Sequence, residues 1–199
     1  MILEGIVTTL SADGGVHVAP MGPIVTPAMD RLVVRPYRTA QTYRNLRAHG
    51  EGVFHVTDDV LLLAQAAVGQ LEPPAVEPAT VVRGFVLRDA CRHYEFRVVS
   101  CDERSERATF EAEVVAAGRR RDFFGFNRAK HAVVEGAILA TRTALLPLEE
   151  IEAEYRKLAV LVEKTGGEQE RRAWAVLQEH LRRVAASRRP PAGSGGQPP

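Results

Sequence analysis

Arg35, Tyr37, Arg38, Thr39 and Thr42 crowd into eight residues where an apolar run, Leu32-Val33-Val34, gives way to a helical pattern. A helix start leaves backbone N–H groups without partners, and its dipole end is positive. Thr39 is expected as the N-cap. Two threonine hydroxyls and nearby arginines at such a helix start suit a phosphate group. A capped surface helix with solvated arginines uses the same residues, and the residues alone leave both readings open. Pro20-Met21-Gly22 offers other chemistry. Proline lacks a ladder donor and glycine lacks a side chain, so the segment is expected as an edge or a bulge whose backbone could lie against a flat ligand. A kink at a barrel corner accounts for it equally well.

Other reactive residues argue for less. His55 and Thr57 share one face of an alternating segment, but a lone strand histidine is usually structural. Asp58-Asp59 ends that segment, where paired aspartates most often make turns. Cys91, His93 and Cys101 lack a fourth ligand and tight spacing for zinc, so buried thiols are expected and no metal. Arg119-Arg120-Arg121 reads as a solvated loop. No phosphate-binding glycine loop, zinc-protease helix or serine-hydrolase elbow is present. With few reactive side chains, the chain suits a cofactor that brings its own chemistry.

The elements that would position these residues follow from the pattern. Strands are expected from Leu3 to Leu10 and from Val16 to Ala19, joined by the turn Ser11-Ala12-Asp13-Gly14-Gly15. A helix over Thr39 to Ala48 ends at His49-Gly50. Gly52 to Thr57 is a strand, Val60 to Val68 a helix, and Glu72 to Pro78 an irregular loop or lid. Thr80 to Leu87, Cys91 to Ser100 and Thr109 to Ala116 read as strands, the last two with one dry and one wet face. Beyond Gly125 the period becomes helical. Val133, Gly136, Ala137 and Ala140 form a small-residue stripe open to close packing, and two more amphipathic helices follow. The expected fold is mainly β with α: a small antiparallel barrel over 1–121, a C-terminal helical appendage over 122–186, and a disordered tail over 187–199.

Composition sets outer limits. The 199 residues are 45% hydrophobic and 26% charged, as in a globular protein. A net charge of +1 gives no overall field for nucleic acid or an anionic membrane. No run has the length of a membrane span, and Met1-Ile2-Leu3-Glu4 lacks a secretory leader's basic start, so a cytoplasmic location is expected.

The order Val7-Thr8-Thr9, Ala19-Pro20-Met21-Gly22, Pro36 to Leu46 and Val56-Thr57-Asp58-Asp59 resembles the flavin-reductase-like split barrels that bind FMN. Within that group, Gly125-Phe126-Asn127-Arg128-Ala129, Ala132 to Glu135 and Lys164-Thr165-Gly166-Gly167 resemble a branch defined as domain of unknown function family 447. The resemblance implies a homodimer with FMN at the subunit interface. The phosphate would lie on Thr39, Thr42 and arginine, and the ring against Pro20-Met21-Gly22 and the strand of His55 and Thr57. It implies flavin-dependent reduction of a small acceptor by NAD(P)H, with a pterin-linked one-carbon role at family level. Relatives commonly carry asparagine near His17 and His55, which leaves the ring's polar contacts open. The alternatives are a non-catalytic flavin, haem or pterin carrier and a partner-binding module.

Overall fold

The computed structural model describes residues 1–188, so most of the expected disordered tail lies outside the described residues. Nine strands and five helices follow one another in the order β1 (Gly5–Leu10), β2 (Val16–Met21), β3 (Ile24–Val25), β4 (Arg31–Val34), α1 (Gln41–His49), β5 (Glu51–Val56), α2 (Val60–Ala67), β6 (Val76–Pro78), β7 (Phe85–Leu87), β8 (Arg92–Asp102), β9 (Thr109–Arg119), α3 (Arg128–Ala140), α4 (Leu148–Thr165) and α5 (Glu168–Arg188). Seven strands form one antiparallel sheet in the order β2-β1-β5-β8-β9-β4-β3. The sheet curls until its ends approach. Leu3 N–H donates to Pro23 O, Val25 N–H to Met1 O, and Ile2 bridges Ile24. This is the antiparallel split β-barrel that the family resemblance implies, where the alternating pattern alone gives a small barrel, with helices after it.

Alternation decides what each face buries. Val7, Phe54, Phe96 and Phe110 point into the barrel, where they pack with Leu32, Val34 and Leu46 of α1. The opposite face carries Val53, His55 and Glu95. It is covered by the segment 76–87, so the apolar content of β5 on both sides makes sense. A second core joins Ile6 and α2 to the three C-terminal helices. Gly50 ends α1 in the left-handed conformation, at φ 65°, as the sequence suggests.

Three expectations need correction, and a fourth, the edge or bulge at Pro20, resolves to the edge. Val76–Pro78 is a short strand, not irregular loop, because Val76, Glu77 and Pro78 pair with Leu87, Val86 and Phe85 at an exposed edge where proline is tolerated. Thr80 to Gly84 is not strand, since its backbone N–H groups turn toward a carboxylate. Pro20 sits on the edge strand as expected, but β2 keeps continuous register with β1 and has no bulge. Cys101 is exposed, and the ten residues from Cys91 along β8 separate the thiols by roughly 30 Å.

The small-residue stripe is consumed within the chain. Val133, Gly136, Ala137 and Ala140 are buried against α4 and α5. The Tyr155 hydroxyl donates to Gly136 O at 2.6 Å, and Tyr155 stacks on Trp174 with ring centres 4.8 Å apart. A Cβ on Gly136 would lie 2.6 Å from the Trp174 ring. Gly136→Ala should therefore lower stability by about 1–3 kcal/mol through overpacking, even though alanine is the better helix former by about 1 kcal/mol. A denaturant midpoint that holds or rises would show that α5 yields at this contact.

Candidate functional site

The helix start that the sequence singles out is bare. Ala40 is the N-cap of α1, and no side chain accepts from the first-turn N–H groups. No acid stands in that turn. Thr39 therefore does not cap the helix as expected; it lies one residue before the cap, exposed. Tyr37, Arg38 and Thr39, with Tyr43 and Glu106, line a cleft of about 360 Å³. The cleft floor is held by the turn between β8 and β9. Ala108 N–H donates to Pro36 O and Arg38 N–H to Glu106 O, while the Arg107 guanidinium lies 4.2 Å above the Tyr37 ring. Arg44 donates to Thr39 O at 2.8 Å, so a second guanidinium stands beside the helix start. Arg35 is exposed two residues before Tyr37.

Thr42 occupies a different position. It is buried, and its hydroxyl meets His17 Nε2 at 3.2 Å. Burial lowers the His17 pKa, which keeps this imidazole neutral at pH 7. Asn45, one turn on, donates to Thr9 Oγ1 and accepts from Gln41 Nε2. Thr42 and Asn45 thus fasten the helix start to the hairpin of β1 and β2. The spacing of Thr42 and Asn45 on one helix face was the available signal for this polar seam, and reading for phosphate ligands passed over it.

The proposed ring contacts separate into two groups. Pro20, Met21 and Gly22 lie at the end of edge strand β2, four residues or about 13 Å along the strand from His17. Gly22 permits a close approach: a Cβ there would lie 2.8 Å from Glu4 Oε1. His17 also lines a groove of about 530 Å³ that runs between β2 and the segment Gly69–Val76, with Val18, Leu71 and Pro74 among its walls. The loop once expected as a lid is one wall of that groove.

His55 is fully buried on the opposite face of the sheet. Its Nδ1 meets Ile6 O, and its Nε2 accepts from Leu87 N–H at 3.1 Å, which assigns the proton to Nδ1. Burial pushes its pKa down to about 3. Thr57, at the end of β5, accepts from Asp59 N–H. Asp59 in turn caps α2, and Asp58 binds Arg121 and Phe124 N–H, so both aspartates do turn and capping work. Arg120 pairs with Glu77, so the arginine run is partly engaged and not a plain solvated loop.

Glu95 was not singled out by its sequence position. Its buried carboxylate accepts from Thr80 N–H, Thr80 Oγ1, Val81 N–H and Val82 N–H. Burial pushes its pKa up, but these bonds outweigh that and hold it below the ordinary value. Glu95 falls in register on the polar face of β8, so nothing local in the sequence marks its burial under Thr80 to Val82.

This geometry, a curled antiparallel sheet split along one side with a cleft at the first helix, defines the split β-barrel class. The chain belongs to the family described as protein of unknown function (DUF447), whose N-terminal domain matches residues 3–121 and whose second part matches 127–179. Among solved structures it is similar to the FMN-bound protein MM1853 from Methanosarcina mazei, of the same family, with TM-score 0.80 and 23% identity over 90% of this chain and 94% of that one. It is also similar to the 2-nitrobenzoate 2-nitroreductase NbaA of Pseudomonas fluorescens, with TM-score 0.51 and 17% identity, over 59% of this chain and 64% of that one. The FMN-binding protein of Thermus thermophilus gives TM-score 0.50 and 14% identity over 59% and 70%. No curated protein matches the chain. Among the described residues no helix is long and apolar enough to cross a membrane.

His55 and Glu95 set an acid limit on this arrangement. The unfolded chain takes up a proton on His55 below pH 6.5, whereas the folded chain keeps the ring neutral to about 3, so stability falls as pH drops through that window. Glu95 acts in the same direction further down: its contribution is full above its unfolded pKa near 4.5 and is lost as pH falls through its lower folded value. Denaturant unfolding between pH 7 and 5 should give a declining stability in wild type and a shallower decline in His55→Gln. An equal slope in both would assign the loss to other histidines. Glu95→Gln should cost about 2–4 kcal/mol at pH 7, since several bonds to a charged acceptor are lost or weakened.

Proposed function

We propose that this protein is an FMN-binding flavoprotein that holds the cofactor's phosphate at the start of α1. The observation that carries the reading is the bare helix start opening on the cleft of Tyr37, Arg38 and Thr39. Backbone N–H groups, a hydroxyl and guanidinium groups are all donors, and a phosphate accepts from each. Glu106 is the one acid lining the cleft. The donor set therefore fits an anion of one phosphate, and the FMN-bound relative from Methanosarcina mazei supports the choice of FMN over a dinucleotide. Thr39, Arg38 and Arg44 hold the phosphate; Thr42, bonded to His17, keeps the helix start in place and presents its first-turn N–H. Edge strand β2 leads from His17 to Pro20-Met21-Gly22, the segment against which this reading places the ring.

FMN, when bound, would supply two-electron redox chemistry between a reduced nicotinamide and a small acceptor. The chain's part is binding and positioning. Neutral His17 offers one ring nitrogen to Thr42 and leaves the other for a ligand in the groove beside β2. A flavin-dependent reductase acting on a small acceptor is the activity that follows, and a pterin is the acceptor class suggested by the family resemblance. The barrel, 1–121, carries the cofactor in this reading. The helical region, 122–186, braces α2 behind it. The homodimer that the resemblance implies is part of this proposal, and edge strand β2, which has a sheet partner on one side only, is where a second copy would add. Light scattering on the FMN-loaded protein should give twice the chain mass.

Thr39 and Arg38 make the phosphate assignment testable. Bonds to a charged partner are worth about 1.5–3 kcal/mol, so Thr39→Ala should weaken FMN about tenfold to a hundredfold, and Arg38→Ala by a similar factor. Thr39 caps nothing, so thermal stability should stay within about 0.5 kcal/mol of wild type. Riboflavin, which has no phosphate, should bind wild type and both variants equally in fluorescence titrations. Equal losses for riboflavin and FMN would move the phosphate elsewhere, and recovery of FAD from heat-released cofactor would overturn the choice of FMN.

A further inference from the structure

One end of the sheet carries charges that the fold does not explain. Arg92 and Arg119 are direct cross-strand partners at the end of the β8–β9 ladder. Like charges placed opposite one another, with Cβ atoms about 5 Å apart, destabilise a sheet. Arg119 has a partner in Asp122, itself largely exposed, while Arg121 is held by Asp58 and by the carbonyls of Asp89 and Asp122, so it borders the cleft with most of its donors engaged. Arg92 makes no ion pair or side-chain hydrogen bond among the described residues. These three arginines line one cleft of about 440 Å³ together with Val56, Cys91, Asp122 and Phe123. The Phe123 ring is half exposed there, and Phe124 beside it is 89% exposed. The strap that presents them is anchored, since Asp58 accepts from both Arg121 and Phe124 N–H.

Register places this cleft relative to the proposed flavin site. Met21 pairs with Gly5, Val56 with Arg92, and Arg92 with Arg119, and by alternation these residues share the inner face of the curled sheet. Val56 and Met21 both pack on the barrel core. Along this row Met21 and Arg92 are three strand spacings apart, about 14 Å. The Pro20-Met21-Gly22 bend and the arginine cleft therefore stand on one rim of the barrel, within the span of an extended dinucleotide.

We infer that the Arg92–Arg119–Arg121 cleft binds the adenosine phosphate end of the nicotinamide dinucleotide, with Phe123 as the wall against which its base packs. Guanidinium groups bind phosphate oxygens in bidentate fashion, and a phosphate between Arg92 and Arg119 turns their repulsion into shared attraction. An aromatic ring beside a phosphate site gives a base a stacking surface that bare phosphate does not use. Asp122 is displaced from Arg119 when the anion enters. The inference rests on the reductase reading for its ligand class, but the cleft lies apart from the residues that hold the FMN phosphate.

The test uses ADP, which cannot react, titrated calorimetrically into the FMN-loaded protein in 50 mM salt, with inorganic pyrophosphate in parallel. Wild type should bind ADP, and raising salt to 500 mM should weaken it at least tenfold. Arg92→Ala should weaken ADP and pyrophosphate alike, by about tenfold to a hundredfold, while FMN affinity stays within twofold. Phe123→Ala should weaken ADP severalfold and leave pyrophosphate unchanged. The melting temperature of Arg92→Ala should not fall, because the substitution relieves a like-charge pair. No ADP binding at millimolar concentration, or ADP binding equal in wild type and Arg92→Ala, overturns the inference. Burial of the Phe123 strap by a second copy would give the first of those results, with a light-scattering mass that drops on Phe124→Ser. Failure of FMN to bind wild type at all would instead strike the flavoprotein reading, so the two are told apart.

Discussion

The buried carboxylate of Glu95 is the point on which the outer half of this architecture depends. A charge inside a β-sheet is tolerable where donors surround it, and here three backbone N–H groups and one hydroxyl converge from Thr80, Val81 and Val82. Those four bonds fix the turn that precedes β7. From there β7 reaches His55 through Leu87 N–H and Thr8 through Phe85 O. The outer face of β1 and β5 is dry because this segment lies on it. With that face closed and the inner face packed as the barrel core, the rim and the edge strand β2 are what the barrel leaves exposed. Arg97 and Glu51 pair just outside the same turn, but they are part-exposed and contribute much less.

The helical region is tied to the barrel by a similar device at the other end. Lys130 of α3 donates to Asp58 O at the end of β5 and pairs with Glu170 of α5, and Glu170 also accepts from Gly167 N–H. One lysine thus connects the sheet terminus, the first C-terminal helix and the last. Packing does the remainder, through α2 against α3 and α5. The barrel mouth and the helices are thereby joined, and the strap carrying Phe123 and Phe124 runs between them from its anchor at Asp58.

Much of this was legible in the chain. Periodicity located the long strands, the barrel class and the helices, because a two-residue period on β8 and β9 and a helical period on α3 to α5 follow from which faces are buried. What escaped depended on partners distant in sequence. Val76–Pro78 is a strand because Phe85–Leu87 lies beside it, and no local preference of Val-Glu-Pro says so. Thr80 to Gly84 has a strand-like composition, yet a carboxylate fifteen residues away claims its backbone. Thr39 looked like a cap because threonine usually is one, while the chain made Ala40 the cap and left the hydroxyl outside. The helix start was visible as a place for an anion; the burial of Thr42 against His17 was not, since it needs the register of β2.

The sheet order also dictates the sequence in which this protein can assemble during synthesis. Strand β4, which delivers the chain to the cleft, neighbours only the two-residue β3 and the far later β9. The residues beyond it, Pro36 and Arg38, are held by Ala108 and Glu106. Until some 110 residues have left the ribosome, the segment from Arg31 to Thr39 has only the two-residue β3 beside it in the sheet, although β1, β2 and β5 can already pair. Closing so long a loop is slow, and its ends wait for each other. The cleft of Tyr37, Arg38 and Thr39 is thus among the last parts of the barrel to take shape. The early hairpin waits for its full set of neighbours until β9 has docked.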